Sequence, residues 1–129
     1  MTPGSAPLRS LRVWFVVHFV VDMLFGIPLL VAPHATLSFL GWTVVNPLTA
    51  RLGGAALMGI GGQSLLGRQD SDGVFRAMLN LKISWSLCAV AGIGLTMTRG
   101  GPAMGWVVMC IFAASSALWI YYRLQLRQR

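Results

Sequence analysis

The chain has 129 residues and a net charge of +7, with 56% hydrophobic and only 10% charged residues, and its mean hydropathy is +0.71. A soluble domain carries about 25% charged residues, so this composition excludes an ordinary water-soluble fold and points to the membrane class. The cations are sparse and sit at the ends of apolar runs, which excludes a nucleic-acid-binding patch and fits the placement of arginine around membrane helices.

Met1 to Ser10 reads as a polar surface tail, after which a first span is expected over 11–31, anchored by Arg9 and Arg12. A secretory signal has an apolar region of about 7–15 residues and a small-residue cleavage site; this run is longer and no A-x-A site follows, so a retained helix is expected. Pro28 removes a backbone donor near its end, with Gly26 just before it, and a kink is expected there. Trp14, His18, Asp22 and Gly26 recur every fourth residue and share one face, which should look inward. The stretch 33–42 is too short to span and reads as a helix lying in the interface, ended by Gly41, with Trp42 at headgroup depth.

Asn46 followed by Pro47 reads as an N-cap and first helical residue, opening a second span over 47–66. Ala50/Gly54 and Ala55/Gly59 are small-x-x-x-small pairs, which let helix backbones approach closely in lipid, either within the chain or at a dimer face. The polar turn 67–73 joins this span to the third as a hairpin. Its Asp70 and Asp72 read as turn and cap residues, and one short loop supplies too few ligands for a metal site. The third span is expected over 74–97, with Arg76, Asn80, Ser84 and Cys88 in one stripe and Lys82 and Ser86 beside it. After the turn Arg99 to Pro102, the fourth span is expected over 103–122. Trp106 at one end and Trp119, Tyr121 and Tyr122 at the other read as aromatic interface anchors, and the following tail carries Arg123, Arg127 and Arg129 into water. Cys88 and Cys110 lie in apolar runs without metal-ligand spacing and read as apolar filler. No internal repeat is visible.

The expected architecture is therefore all-α: a single domain over 1–129, forming a four-helix transmembrane bundle with a short interfacial helix between spans 1 and 2. Four spans put both termini on one side, together with Arg9, Arg12, Arg68, Arg76, Arg123, Arg127 and Arg129, against Arg51 and Arg99 on the other; the positive-inside rule makes the termini cytoplasmic, in a bacterial inner membrane.

Charged groups inside a membrane are costly and should be partnered. By helical rise, His18, Asp22, Asn80, Lys82 and Gln63 fall in the same half of the bilayer. An intramembrane polar cluster of His18, Asp22, Asn80 and Lys82 is expected, with an Asp22–Lys82 ion pair at its centre and Arg51 as the competing partner. Such a cluster can fix helix register, or it can mark a proton or ligand site. No cofactor is expected. His18 is the one core imidazole that could ligate a pigment or haem, and a bis-histidine site would need His34, which lies near the opposite face. No hydrolase triad, phosphate loop, dinucleotide fingerprint or zinc-protease motif is present, so an enzyme is not expected.

The segment 30–66 carries a proline after the first helix, then Phe39-Leu40-Gly41, then the run Arg51 to Gly61 of the pattern Arg-x-Gly-Gly-Ala-x-x-Met-Gly-x-Gly. It resembles the small, mostly uncharacterised bacterial four-helix membrane proteins of the DoxX-like kind. The resemblance covers under a third of the chain and implies four spans. DoxX itself is associated with a thiosulfate:quinone oxidoreductase, and no residue here matches a catalytic motif that would carry that activity across.

The function expected from these readings is a non-catalytic accessory or structural subunit, packing in the lipid bilayer against a larger membrane complex or a homo-oligomer. The alternatives are a small transport or proton-handling protein using the His/Asp/Lys cluster, and a binding module for a quinone, lipid or pigment.

Overall fold

The computed structural model describes residues 6–128. Among them the chain is all helix and turn, in five α-helices: α1 Ala6–Val31, α2 Pro33–Phe39, α3 Pro47–Leu66, α4 Asp72–Met97 and α5 Met104–Arg127, with a 3-10 turn Gly67–Gln69 between α3 and α4. Three of them, α1, α4 and α5, are long and apolar enough to cross a membrane. α3 has 20 residues, but its many glycines with Arg51 and Gln63 leave it less apolar.

The elements begin and end where their chemistry dictates. Asn46 accepts a hydrogen bond from the Thr49 amide at 3.2 Å, and Pro47 takes the first helical position, where its missing N–H is no loss. α2 ends in a Schellman arrangement. The Trp42 amide donates to the Leu37 carbonyl and the Gly41 amide to Ser38, with Gly41 at φ 92°, a conformation open to glycine without strain. Arginines satisfy carbonyls left over at helix ends: Arg51 donates to Leu30, Arg68 to Leu65 and Arg76 to Leu126. Pro28 lies within α1, which continues to Val31.

Two helices run further than their sequence suggests. α1 starts at Ala6, so Ala6 to Ser10 of the expected tail are helical, while Met1 to Ser5 lie outside the described residues. α5 continues through Arg123 to Arg127; Arg129 lies outside the described residues.

The long helix–helix contacts are α1 with α3 and α4 with α5. This differs from the expected docking of α1 on α4, and the reason is glycine. A Cβ on Gly54 would stand 2.7 Å from the Gly26 carbonyl oxygen and 3.0 Å from the Leu30 amide nitrogen. A Cβ on Gly61 would stand 2.6 Å from Asp22 Cβ. Bare backbone on α3 therefore lets α1 lie directly on it. The two pairs meet at the end nearest the chain termini, in a core of Leu11 and Phe15 from α1, Phe75, Met78 and Leu79 from α4, and Trp119, Tyr122 and Leu126 from α5. Phe15 packs on Phe75 and Trp119 with centroids 5.4 and 6.0 Å apart, in the tilted and edge-on geometries aromatic pairs prefer.

Candidate functional site

Above that core, four side chains from three helices converge. Lys82 of α4 is 2% exposed, and its Nζ donates to Ser64 Oγ of α3 at 2.5 Å and to His18 Nδ1 of α1 at 2.9 Å. His18 Nδ1 also lies 2.9 Å from Asp22 Oδ2, one turn further along α1. An imidazole nitrogen in the ring plane either accepts or donates, not both. With Lys82 as an ammonium, which can only donate, Nδ1 is the acceptor and has no proton for Asp22, in keeping with an enclosed Oδ2 that lacks a hydrogen-bond donor. In that state the 2.9 Å contact with Asp22 is not a hydrogen bond; it becomes a charged pair when Nδ1 carries a proton. Lys82 Nζ sits 5.3 Å from the Phe15 ring centre and 5.0 Å from that of Trp119, within cation–π range of both. His18 and Trp119 meet in a T-shaped arrangement, with ring centroids 5.1 Å apart.

Asp22 and Lys82 thus belong to one cluster, with the His18 imidazole between them rather than a direct ion pair. Arg51, the competing partner, is occupied at the Leu30 carbonyl. Asn80 is not in the cluster. Two residues from Lys82 is 200° around a helix, so Asn80 lies on the exposed side, where Oδ1 accepts from Arg123 Nε at 2.9 Å. Gln63 is exposed as well. Two serine features come in addition. Ser64 donates onward to the Ile60 carbonyl at 2.7 Å, and Ser86 donates to the Lys82 carbonyl at 2.7 Å while accepting from Ser116 of α5 at 2.7 Å. Ser64 beside Lys82 has the composition of a serine nucleophile and its base, but Ser64 is fully buried and, unlike Lys82, does not line the cavity that adjoins the cluster, so no substrate there reaches it.

The cluster forms one end of a cavity of about 260 Å³ between the two helix pairs. From His18 to Leu29 on α1, from Lys82 to Ile93 on α4, and from Trp119 to Val108 on α5, its walls run eleven residues, about 16 Å of helix. Between the ends the lining is almost wholly apolar, including Phe25, Leu57, Trp85 and Phe112. Thr36, Leu37, Leu40 and Trp42, from α2 and the loop after it, line the far end. Trp42 also borders an open depression with Arg99 and Pro102 on the loops at that end. On the near side, beyond His18, Lys82 and Trp119, the Leu11–Leu126 core closes the passage. The cavity is blind.

The remaining expected positions divide by burial. On α3, Ala50 and Gly54 are buried, whereas Ala55 and Gly59 are exposed and a Cβ on Gly59 would meet nothing within 4 Å. Trp106 and Tyr121 are exposed, and Trp42 is half-buried. Trp119, 1% exposed, and Tyr122 are core residues instead, because their face of α5 turns toward Phe15 and His18 rather than outward. Cys88 and Cys110 are exposed free thiols. No family model, no curated protein and no solved structure matches the chain.

Proposed function

We propose that the chain is a four-span membrane protein that binds an apolar molecule bearing a carbonyl, of the quinone or lipid kind, between its two helix pairs. The observation that carries this reading is the blind apolar cavity ending on Lys82 and His18. An apolar slot with a few convergent polar groups at one end is what binding sites for such ligands are made of. The same observation weighs against conduction of protons or ions, because the aromatic core stands between the cluster and the nearer helix ends.

α3 is the fourth span in this reading. Its 20 residues rise about 30 Å, the thickness of the hydrocarbon layer, and its glycine contact with α1 holds it at the same depth. α2 then lies in the interface beside Trp42. The seven arginines at the termini and at the α3–α4 turn make that side cytoplasmic in a bacterial inner membrane.

Titration of the purified protein with decylubiquinone tests the binding reading through tryptophan quenching, since Trp42, Trp85 and Trp119 all line the cavity. Saturable quenching is expected, weakened about tenfold by Lys82→Met, the worth of one hydrogen bond to a charged donor. Quenching that never saturates and is unchanged in Val108→Trp, which fills the slot, refutes it.

A second reading, an accessory subunit, has its own support in α3. Ala55, Gly59 and Gly62 lie together between the exposed Leu52 and Leu66, on the side away from α1. Gly59 and Gly62 have open space where a Cβ would stand, so another helix could approach closely. Purification in mild detergent tests it: a protein that runs alone in every preparation overturns the subunit reading.

A further inference from the structure

The chain has ten basic residues, of which nine are arginine and Lys82 is the one lysine. The arginine positions are the helix ends and turns. The lysine is alone in the interior, at the blind end of an apolar cavity, with an imidazole nitrogen 2.9 Å from its amine and a carboxylate oxygen 2.9 Å beyond. Arginine is always charged and is no nucleophile, whereas a lysine amine in apolar surroundings condenses with carbonyl compounds. We infer that Lys82 captures long-chain apolar aldehydes as a reversible imine, with His18 carrying the protons and Asp22 facing the product charge.

The inference rests on the cavity being a ligand site and adds the chemical class of one ligand. The balance is simple. The Lys82 ammonium gives a proton to His18 Nδ1, along the hydrogen bond already present. The free amine attacks the aldehyde carbon, a C–N bond forms, and the carbonyl electron pair moves to oxygen. A proton passes from nitrogen to that oxygen, giving a neutral carbinolamine. The imidazolium then protonates the hydroxyl, the nitrogen lone pair closes the C=N bond, and water leaves. One aldehyde and one ammonium become one protonated imine and one water, with no oxidant or reductant. Asp22 serves twice: its Oδ2 lies against the imidazole while His18 is charged, and the carboxylate then balances the iminium. This accounts for an enclosed carboxylate oxygen without a hydrogen-bond donor in the resting protein. The chain of the aldehyde lies along the apolar walls, which extend about 16 Å from the amine toward Trp42.

The full chain in detergent micelles, incubated with dodecanal and sodium cyanoborohydride, provides the test by intact mass and peptide mapping. The N-terminal amine is the internal reference, and dodecanol, which cannot form an imine, reports occupancy through tryptophan fluorescence. One dodecyl group on Lys82 is expected, added faster than at the N-terminal amine in the folded chain and no faster once the chain is denatured. His18→Phe should slow it about 100-fold, the usual worth of a positioned proton carrier. Val108→Trp should abolish it while leaving the lysine in place. Lys82 labelled no faster than the N-terminus, or as fast in Val108→Trp as in the parent, overturns the inference. If dodecanol binding saturates but no adduct forms, the imine fails and the ligand site stands. If neither occurs, both fail.

Discussion

Gly54→Ala and Gly59→Ala place the same methyl group on the same helix and should have opposite effects. At Gly54 the new Cβ would be 2.7 Å from the Gly26 carbonyl oxygen, 3.0 Å from Leu29 Cβ and 3.0 Å from the Leu30 nitrogen. Two of these three atoms are backbone, so no rotamer change relieves the clash, and α1 must move off α3 by about 0.7 Å to restore ordinary contact. Overpacking of this kind costs about 1–3 kcal/mol. Better helix propensity offsets about 1 kcal/mol of it. The balance is an expected net loss of about 1 kcal/mol. At Gly59 nothing lies within 4 Å, and only the propensity gain of about 0.5–1 kcal/mol remains. Reversible unfolding in mixed micelles, followed by circular dichroism, measures both. If Gly54→Ala is as stable as Gly59→Ala, the α1–α3 packing described above is refuted.

Ser64→Ala removes the acceptor of one Lys82 hydrogen bond in the interior and should cost about 1–3 kcal/mol in the same assay, whereas Asn80→Ala breaks an exposed side-chain pair and should cost under about 1 kcal/mol. Equal effects would place Asn80 back in the polar cluster. Asn46→Ala removes the α3 cap and should cost about 1 kcal/mol, while Asn46→Asp, which keeps the acceptor, should be close to neutral in thermal denaturation.

Helix existence was legible from apolar runs and from caps such as Asn46-Pro47 and Gly41, because those signals are local. Inward placement of His18, Asp22 and Gly26 was legible too, since spacing of four on one helix is itself local information. Trp14 on the same spacing is exposed, because α1 turns Leu11 and Phe15 to the core at that end. Partner choice was not. The four-residue stripe that joined Asn80 to Arg76 and Ser84 marks a polar face, and a polar face on a membrane helix can serve a neighbouring helix's outer edge as well as the interior. Here Asn80 meets Arg123 at the surface, and Lys82, off the stripe, goes inside. Trp119 and Tyr122 show the same ambiguity. An aromatic near a helix end fits a membrane interface or a terminal core layer equally well by position. The spacing Phe112, Ser116, Trp119, Tyr122, Leu126 along one face of α5 held the decisive signal, because it continues a single stripe through both residues. Ser64 carried no sequence signal beyond being polar in an apolar helix.

The hydrophobic core shared by the two helix pairs lies at one end of the cavity, while at the other end the loop at Gly41 lies against Pro102, a far smaller contact, so the pairs are built like tongs. Each pair is stiffened by its own close contact, and their common side chains lie at the Leu11–Leu126 end. Tilting one pair about that joint barely disturbs Lys82 or His18, yet over about 16 Å each degree moves the Trp42 end by about 0.3 Å. For the ligand site proposed above, such a swing would admit ligands of different girth while Lys82 and His18 at the root of the slot keep their geometry. In a bilayer, thickness and lateral pressure would act on the same swing and so tie the aperture of the slot to the surrounding lipid.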